Sequence, residues 1–247
     1  MEDFKVTYFI SRNTLKLLTS ILFLTSAITL DAQNAKPTRD SLRYKSNPVY
    51  AQEIAMYDIY KTRQANIVML GNSLTHGAAW NELLGRPDVV ERGIPGDGLD
   101  GFAARMNYIF KLNPKIVFIE GGVNDVYSWE PVEDIFRTYV RIIEELKTHH
   151  IIPVIQSTTY ASKDYGKSFG LKPESNYGRN RESDKLNKLL SDYAKNNNID
   201  YIDLVTPTAT KDGFMRPELT IDGIHFKAAA FRIWASEVEK VLAKHRI

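Results

Sequence analysis

The feature that most constrains the fold is an alternation. Apolar runs at 67–70, 89–90, 116–119, 151–155 and 201–204 are separated by helical patterns at 79–84, 99–112, 132–149 and 181–196, and a further helical pattern at 228–244 closes the chain. Short apolar runs without polar alternation read as strands buried on both faces. Strands alternating with helices call for right-handed crossovers, and therefore for a parallel sheet with helices on both sides. The expected architecture is a three-layer α/β/α sandwich around a five-stranded parallel sheet. A stretch at 53–63 can form a helix ahead of the first strand. There is no repeat and no internal domain boundary. The longest irregular segment, 158–178, is rich in Tyr, Lys, Ser and Gly; it is too long for an inert connection and is expected to wall a site.

Composition narrows the classes. With 247 residues, 43% hydrophobic and 25% charged, the chain is long enough to bury a full core in one domain. A formal net charge of +2 without a Lys/Arg run gives no footing for nucleic acid. The absence of cysteine excludes disulfides, thiolate metal sites, a cysteine nucleophile and a lipidated amino-terminal cysteine. At the amino terminus, Lys5, Arg12 and Lys16 lead into an apolar run at 17–30, followed by Leu30-Asp31-Ala32. This pattern is expected to direct export, with cleavage after about Ala32. An uncleaved anchor is the alternative, because Asp31 is not the small residue a signal peptidase prefers there. The expected organisation is a signal peptide at 1–32, a polar lead-in at 33–50 and one domain at 51–247. That implies a periplasmic or secreted protein with no stable membrane insertion after cleavage.

The first strand runs into Gly71-Asn72-Ser73-Leu74-Thr75-His76-Gly77, a sharp turn that carries Ser73. In an open parallel sheet, ligands bind outside the carboxyl ends of the strands, so Ser73 is placed where a nucleophile belongs. Two more turns fall at strand ends: Arg92-Gly93-Ile94-Pro95-Gly96-Asp97-Gly98 and Gly121-Gly122-Val123-Asn124-Asp125. A fourth segment, Asp222-Gly223-Ile224-His225, precedes the last helix. Any one of them reads equally as ordinary turn chemistry. Together they fit acyl transfer. Ser73 is the nucleophile, His225 its base and Asp222 the group that orients the imidazole. The amides of Ser73 and Gly96 and the Asn124 side chain are the donors for the oxyanion.

These four blocks, in this order over the chain from about residue 66 to its end, resemble the SGNH hydrolases of the GDSL esterase/lipase superfamily. The resemblance implies a flavodoxin-like three-layer fold (the SGNH hydrolase fold), ester hydrolysis without metal or cofactor, and the roles just given to Ser73, Gly96, Asn124, Asp222 and His225. One departure is Asn72, where that family usually has Asp. It is expected to alter hydrogen bonding around the turn rather than abolish activity. The serine near the start, with acid and base three residues apart, argues against an α/β-hydrolase. His76, His149 and His150 read as loop and helix-end residues, and no His/Asp/Glu spacing suggests a metal. For substrate, the leading expectation is a short-chain, acetyl ester on carbohydrate. Trp80, Tyr127, Trp129 and Tyr160 are candidate contacts to the sugar, with Tyr165 and Tyr177 as further aromatics. A lysophospholipid or lipid esterase is one alternative, and a catalytically silent glycan-binding module on the same fold is the other. Oligomeric state is left open.

Overall fold

The computed structural model describes residues 43–247; the leader at 1–32 and most of the lead-in at 33–50 lie outside the described residues. Five strands, β1 (Ile67–Gly71), β2 (Val89–Gly93), β3 (Ile116–Glu120), β4 (Ile152–Gln156) and β5 (Asp200–Ile202), form one sheet in the order β2-β1-β3-β4-β5. Every pairing is parallel. The helices are α1 (Tyr50–Ile59), α2 (Ser73–His76), α3 (Trp80–Leu83), α4 (Leu99–Ala104), α5 (Met106–Phe110), α6 (Val123–Tyr127), α7 (Val132–Thr148), α8 (Pro173–Asn197), α9 (Val205–Thr208) and α10 (Ala228–His245). This is the flavodoxin-like α/β/α sandwich that the alternation predicts.

The two-residue period of the strands divides the core in two. Val68 and Leu70 of β1 join Val117 and Ile119 of β3 in one apolar cluster, with Phe102 of α4, Ile109 of α5, Tyr139, Ile142 and Ile143 of α7, and Leu186 and Leu190 of α8. Ile67 and Met69 join Ile116 and Phe118 in the other, against Leu74 of α2, Trp80 of α3, and Trp234, Val238 and Leu242 of α10. Full burial of each such side chain contributes roughly 1.5–3 kcal/mol. Pro153 stands inside β4, where a missing N–H ordinarily breaks a ladder. It is tolerated because the Ile152 amide already bonds Lys115 O on the β3 side, and the pairing with β5 begins only at Val154.

In this strand order the connections leave β1 and β3 in opposite directions, which opens a crevice at their carboxyl ends. The turns carrying Ser73 and Asn124 both open into it.

Three expectations need correction. The helix at 99–112 is two helices, broken at Arg105 (φ −115°, ψ 17°), whose guanidinium is committed to acceptors at the strand ends. The segment at 158–178 is not irregular throughout: α8 begins at Pro173, a residue suited to the first helical position. The lead-in expected at 33–50 is held against the domain from Arg43 on. Arg43 pairs with Glu130 at 2.7 Å, Asn47 Nδ2 donates to Pro95 O at 2.8 Å, and α1 starts at Tyr50, ahead of the expected domain boundary.

Candidate active site

The turn after β1 is tight. A Cβ on Gly71 would come within 1.9 Å of Thr75 Oγ1, so glycine is required by close approach. Asn72 Oδ1 accepts the Leu74 amide at 2.8 Å, which caps α2 and leaves Ser73 as its first residue. The Ser73 amide donates to nothing among the described residues.

Ser73 Oγ lies 2.9 Å from His225 Nε2, and Nδ1 of the same ring lies 2.6 Å from Asp222 Oδ2. With Nδ1–H donating to the carboxylate, Nε2 is the acceptor for the serine hydroxyl. The loop holding this pair is closely tied. Asp222 Oδ1 accepts the amides of Ile224 and His225 at 3.0 and 2.9 Å, and the Thr220 hydroxyl donates to His225 O while accepting the Gly223 amide. Partial burial alone would raise the Asp222 pKa. The bonds from the His225 side chain and from the two amides outweigh it and hold the carboxyl below its ordinary range.

Two of the oxyanion candidates lie on linked turns. Gly96 has φ +75°, and its amide is free among the described residues. Asn124, in the first turn of α6 after left-handed Gly122 (φ 104°), donates from Nδ2 to Asp97 O at 2.8 Å. No second acceptor for Nδ2 is found among the described residues, and Gly96 is the residue before Asp97. Beneath them lies Arg105, which the motif blocks do not include. Its guanidinium donates to Asp97 Oδ2, Arg92 O and Gly71 O at 3.1, 2.9 and 2.9 Å, and both charged side chains are fully buried. One cation thus ties the ends of β1 and β2 to the Gly96 loop.

The model of the GDSL-like Lipase/Acylhydrolase family matches residues 69–233. The chain belongs to that family. Its fold is similar to that of a GDSL-like lipase from Bacteroides thetaiotaomicron, with TM-score 0.67 and 20% identity over 79% of this chain and 98% of that one. An acetyl xylan esterase is similar too, with TM-score 0.56 and 23% identity over 71% and 98% of the two chains. Among curated proteins it resembles N-acylneuraminate cytidylyltransferases of Streptococcus agalactiae, 24% identical over 81% of this chain. It spans 43% of their length.

In this member of the GDSL-like lipase/acylhydrolase family, the Asn72 departure has a visible partner. Glu120, the last residue of β3, is fully buried beside the Asn72 side chain. Both Glu120 oxygens and Asn72 Nδ2 lack a hydrogen-bond partner, so the two groups are neighbours without a formed bond. Burial pushes the Glu120 carboxyl up to about 8, with the Asn72 amide opposing weakly. A neutral acid beside an amide suits this dry position better than two carboxyls would.

The aromatic candidates divide. Trp80 is 0% exposed; its Nε1 donates to Thr75 O at 2.8 Å and its ring packs edge-on to Trp234 at 4.8 Å. Tyr160 is 6% exposed and its hydroxyl bonds Asp184. Both are structural, contrary to the expectation of sugar contact, because their rings turn into the layer beneath α10. The rings of Tyr127 and Trp129 pack on the Arg179 guanidinium, with centroids 4.7 and 4.1 Å from its carbon, and Trp129 is largely exposed. Tyr165 packs edge-on to Tyr127 at 5.3 Å, while Tyr177 lies apart on Phe214. His76 is 3.8 Å from Glu53 and His149 stacks on Phe110, consistent with structural roles. Arg105, Glu120 and Arg179 carry no spacing signal in the sequence that would have marked them.

Proposed function

We propose that this chain is an exported serine esterase that removes short acyl groups, acetyl above all, from carbohydrate. The observation that carries the reading is the unbroken line from Ser73 Oγ through the His225 ring to Asp222, with distances of 2.9 and 2.6 Å. As Ser73 Oγ bonds the ester carbon, its proton passes to Nε2, and the charge on the carbonyl oxygen is met by the Ser73 and Gly96 amides and Asn124. The imidazolium then protonates the departing sugar oxygen as that C–O bond breaks. Water repeats the sequence on the acyl-enzyme, releasing acetate and the serine. Asp222, ionised at neutral pH, holds the tautomer and offsets the transient charge.

Room for a leaving group exists in a cavity of about 410 Å³ beside Asp222 and Gly223, lined both by Ser162, Lys163, Asp164 and Thr210 and by Phe214, Met215 and Ile221. The resemblance to an acetyl xylan esterase favours acetyl on carbohydrate. Export rests on the amino-terminal pattern alone. The intact Ser73–His225–Asp222 line weighs against a silent binding module.

The test is labelling with a fluorophosphonate, followed by comparison of p-nitrophenyl acetate with the octanoate and then with acetylated glycans. Label on Ser73, loss of at least 1000-fold in turnover for Ser73→Ala, and a kcat/KM that falls with acyl length are expected. Faster octanoate hydrolysis would transfer the proposal to a lipid ester, and near-wild-type turnover by the alanine variant would end it.

A further inference from the structure

Arg179 is 8% exposed, yet its Nε and Nη1 are sealed from solvent and have no acceptor. Nη2 is not among the sealed nitrogens and meets no acceptor among the described residues. By contrast, buried Arg105 satisfies three. An interior guanidinium without an acceptor is costly to the folded state, and a ligand oxygen reaching the open Nη2 offsets part of that cost. The rings of Tyr127 and Trp129 flank it. Trp129 is 60% exposed, on a backbone with φ +59°, so one face of this frame opens to solvent.

The frame adjoins the reacting groups. Tyr127 ends α6, the helix that carries Asn124 in its first turn. Tyr165, edge-on to Tyr127, packs against Gly223: a Cβ added to that glycine would come within 2.8 Å of Tyr165 Cα, and Gly223 lies between Asp222 and His225. Asn176, one turn before Arg179 on α8, accepts the Tyr127 hydroxyl at 3.0 Å and donates to Tyr165 O at 2.8 Å. The wall is therefore fixed at both ends before any ligand arrives.

We propose that Arg179, framed by Tyr127 and Trp129, is an anion subsite that takes the carboxylate of an acidic sugar carrying the ester. It rests on the serine-esterase reading above. Nη2, the guanidinium nitrogen not sealed by the fold, offers a charged donor to a carboxylate oxygen, and the exposed side of the Trp129 ring suits a pyranose.

The test pairs an O-acetylated methyl glucuronoside with the methyl glucoside acetylated at the same hydroxyl. The wild-type enzyme is expected to favour the uronoside in kcat/KM by about 10- to 100-fold, Arg179→Gln to bring the ratio near one, and Arg179→Lys to keep part of it. In a second arm, Ser73→Ala protein is titrated with methyl glucuronoside, methyl glucoside and glucose 6-phosphate, and the glucuronoside is expected to bind tightest. This arm judges Arg179 without catalysis and still decides the matter if the glutamine variant fails to fold. A wild-type ratio near one, a ratio unchanged in Arg179→Gln, or tighter binding of the sugar phosphate overturns the carboxylate subsite. Hydrolysis of both esters that survives Ser73→Ala overturns the serine reading instead.

Discussion

Replacing Glu120 by Gln isolates the electrostatics of the floor beneath Ser73. Glu120 stands opposite Gly71 in the β1–β3 register, fully buried, with no donor on either oxygen. Burial moves its carboxyl from an ordinary 4.5 up to about 8. The unfolded chain therefore gives up this proton near pH 4.5, while the folded chain keeps it until about pH 8. A carboxyl with a raised folded pKa costs nothing below the unfolded value, and its cost is complete above the folded one. At about 1.4 kcal/mol per pH unit, the folded state loses roughly 3 kcal/mol by pH 7 and on the order of 5 kcal/mol by pH 8. Glutamine keeps the shape and cannot ionise. Urea unfolding of wild type and Glu120→Gln, followed by tryptophan fluorescence at pH 5, 7 and 8.5, cancels every other titrating group in the difference between the two curves. The variant is expected to match wild type within about 1 kcal/mol at pH 5 and to exceed it by roughly 3–5 kcal/mol at pH 8.5. A difference that does not change with pH would refute the reasoning.

Asn124→Ala is expected to lower kcat by on the order of 3 kcal/mol with little change in KM, and to cost about 1 kcal/mol of stability for the bond to Asp97 O; a raised KM at constant kcat would make Asn124 a recognition residue. Arg105→Met strands Asp97 as an unpaired buried acid and removes the donors to Arg92 O and Gly71 O, so a loss of about 3–5 kcal/mol in urea unfolding is expected. Adding Asp97→Asn should recover part of that loss, and a cost under 1 kcal/mol would show that the cation does not hold the strand ends.

The fold was legible because the information is local. Apolar runs of two to five residues and the heptad-like burial of Val132, Ile135, Tyr139, Ile142, Ile143 and Leu146 on α7 can be read from spacing alone. The Ser73, Gly96, Asn124 and Asp222–His225 segments were legible for a related reason: each is a turn whose chemistry is contained within a few residues. Direction was not legible. Trp80 and Tyr160 have the composition of sugar contacts but turn inward, and nothing in the neighbouring sequence distinguishes a ring packed edge-on to Trp234 from one facing solvent.

The first turns of α8 were missed because hydrophobic periodicity counts apolar residues, and this helix turns polar ones inward. Asn176, Arg179, Asn180 and Ser183 are all buried. The work of the asparagines is to hold backbone. Asn187 exchanges hydrogen bonds with both backbone polar groups of Thr158 at 2.8 Å, Asn180 does the same for Ala161 at 2.9 Å and also holds Gly213 O, and Asn176 holds Tyr165 O. One stripe of asparagines at helical spacing thus fastens the segment that follows β4 along its length. That segment in turn fixes the loop of the acid and base, through the Ser162 amide to Gly223 O at 2.6 Å. An apolar stripe on α8 would pack as well against the sheet and leave the amides and carbonyls at 158–165 without partners. The polar face of α8 is therefore a requirement of placing His225 within reach of Ser73. The same stripe also brings Arg179 to the edge of the site.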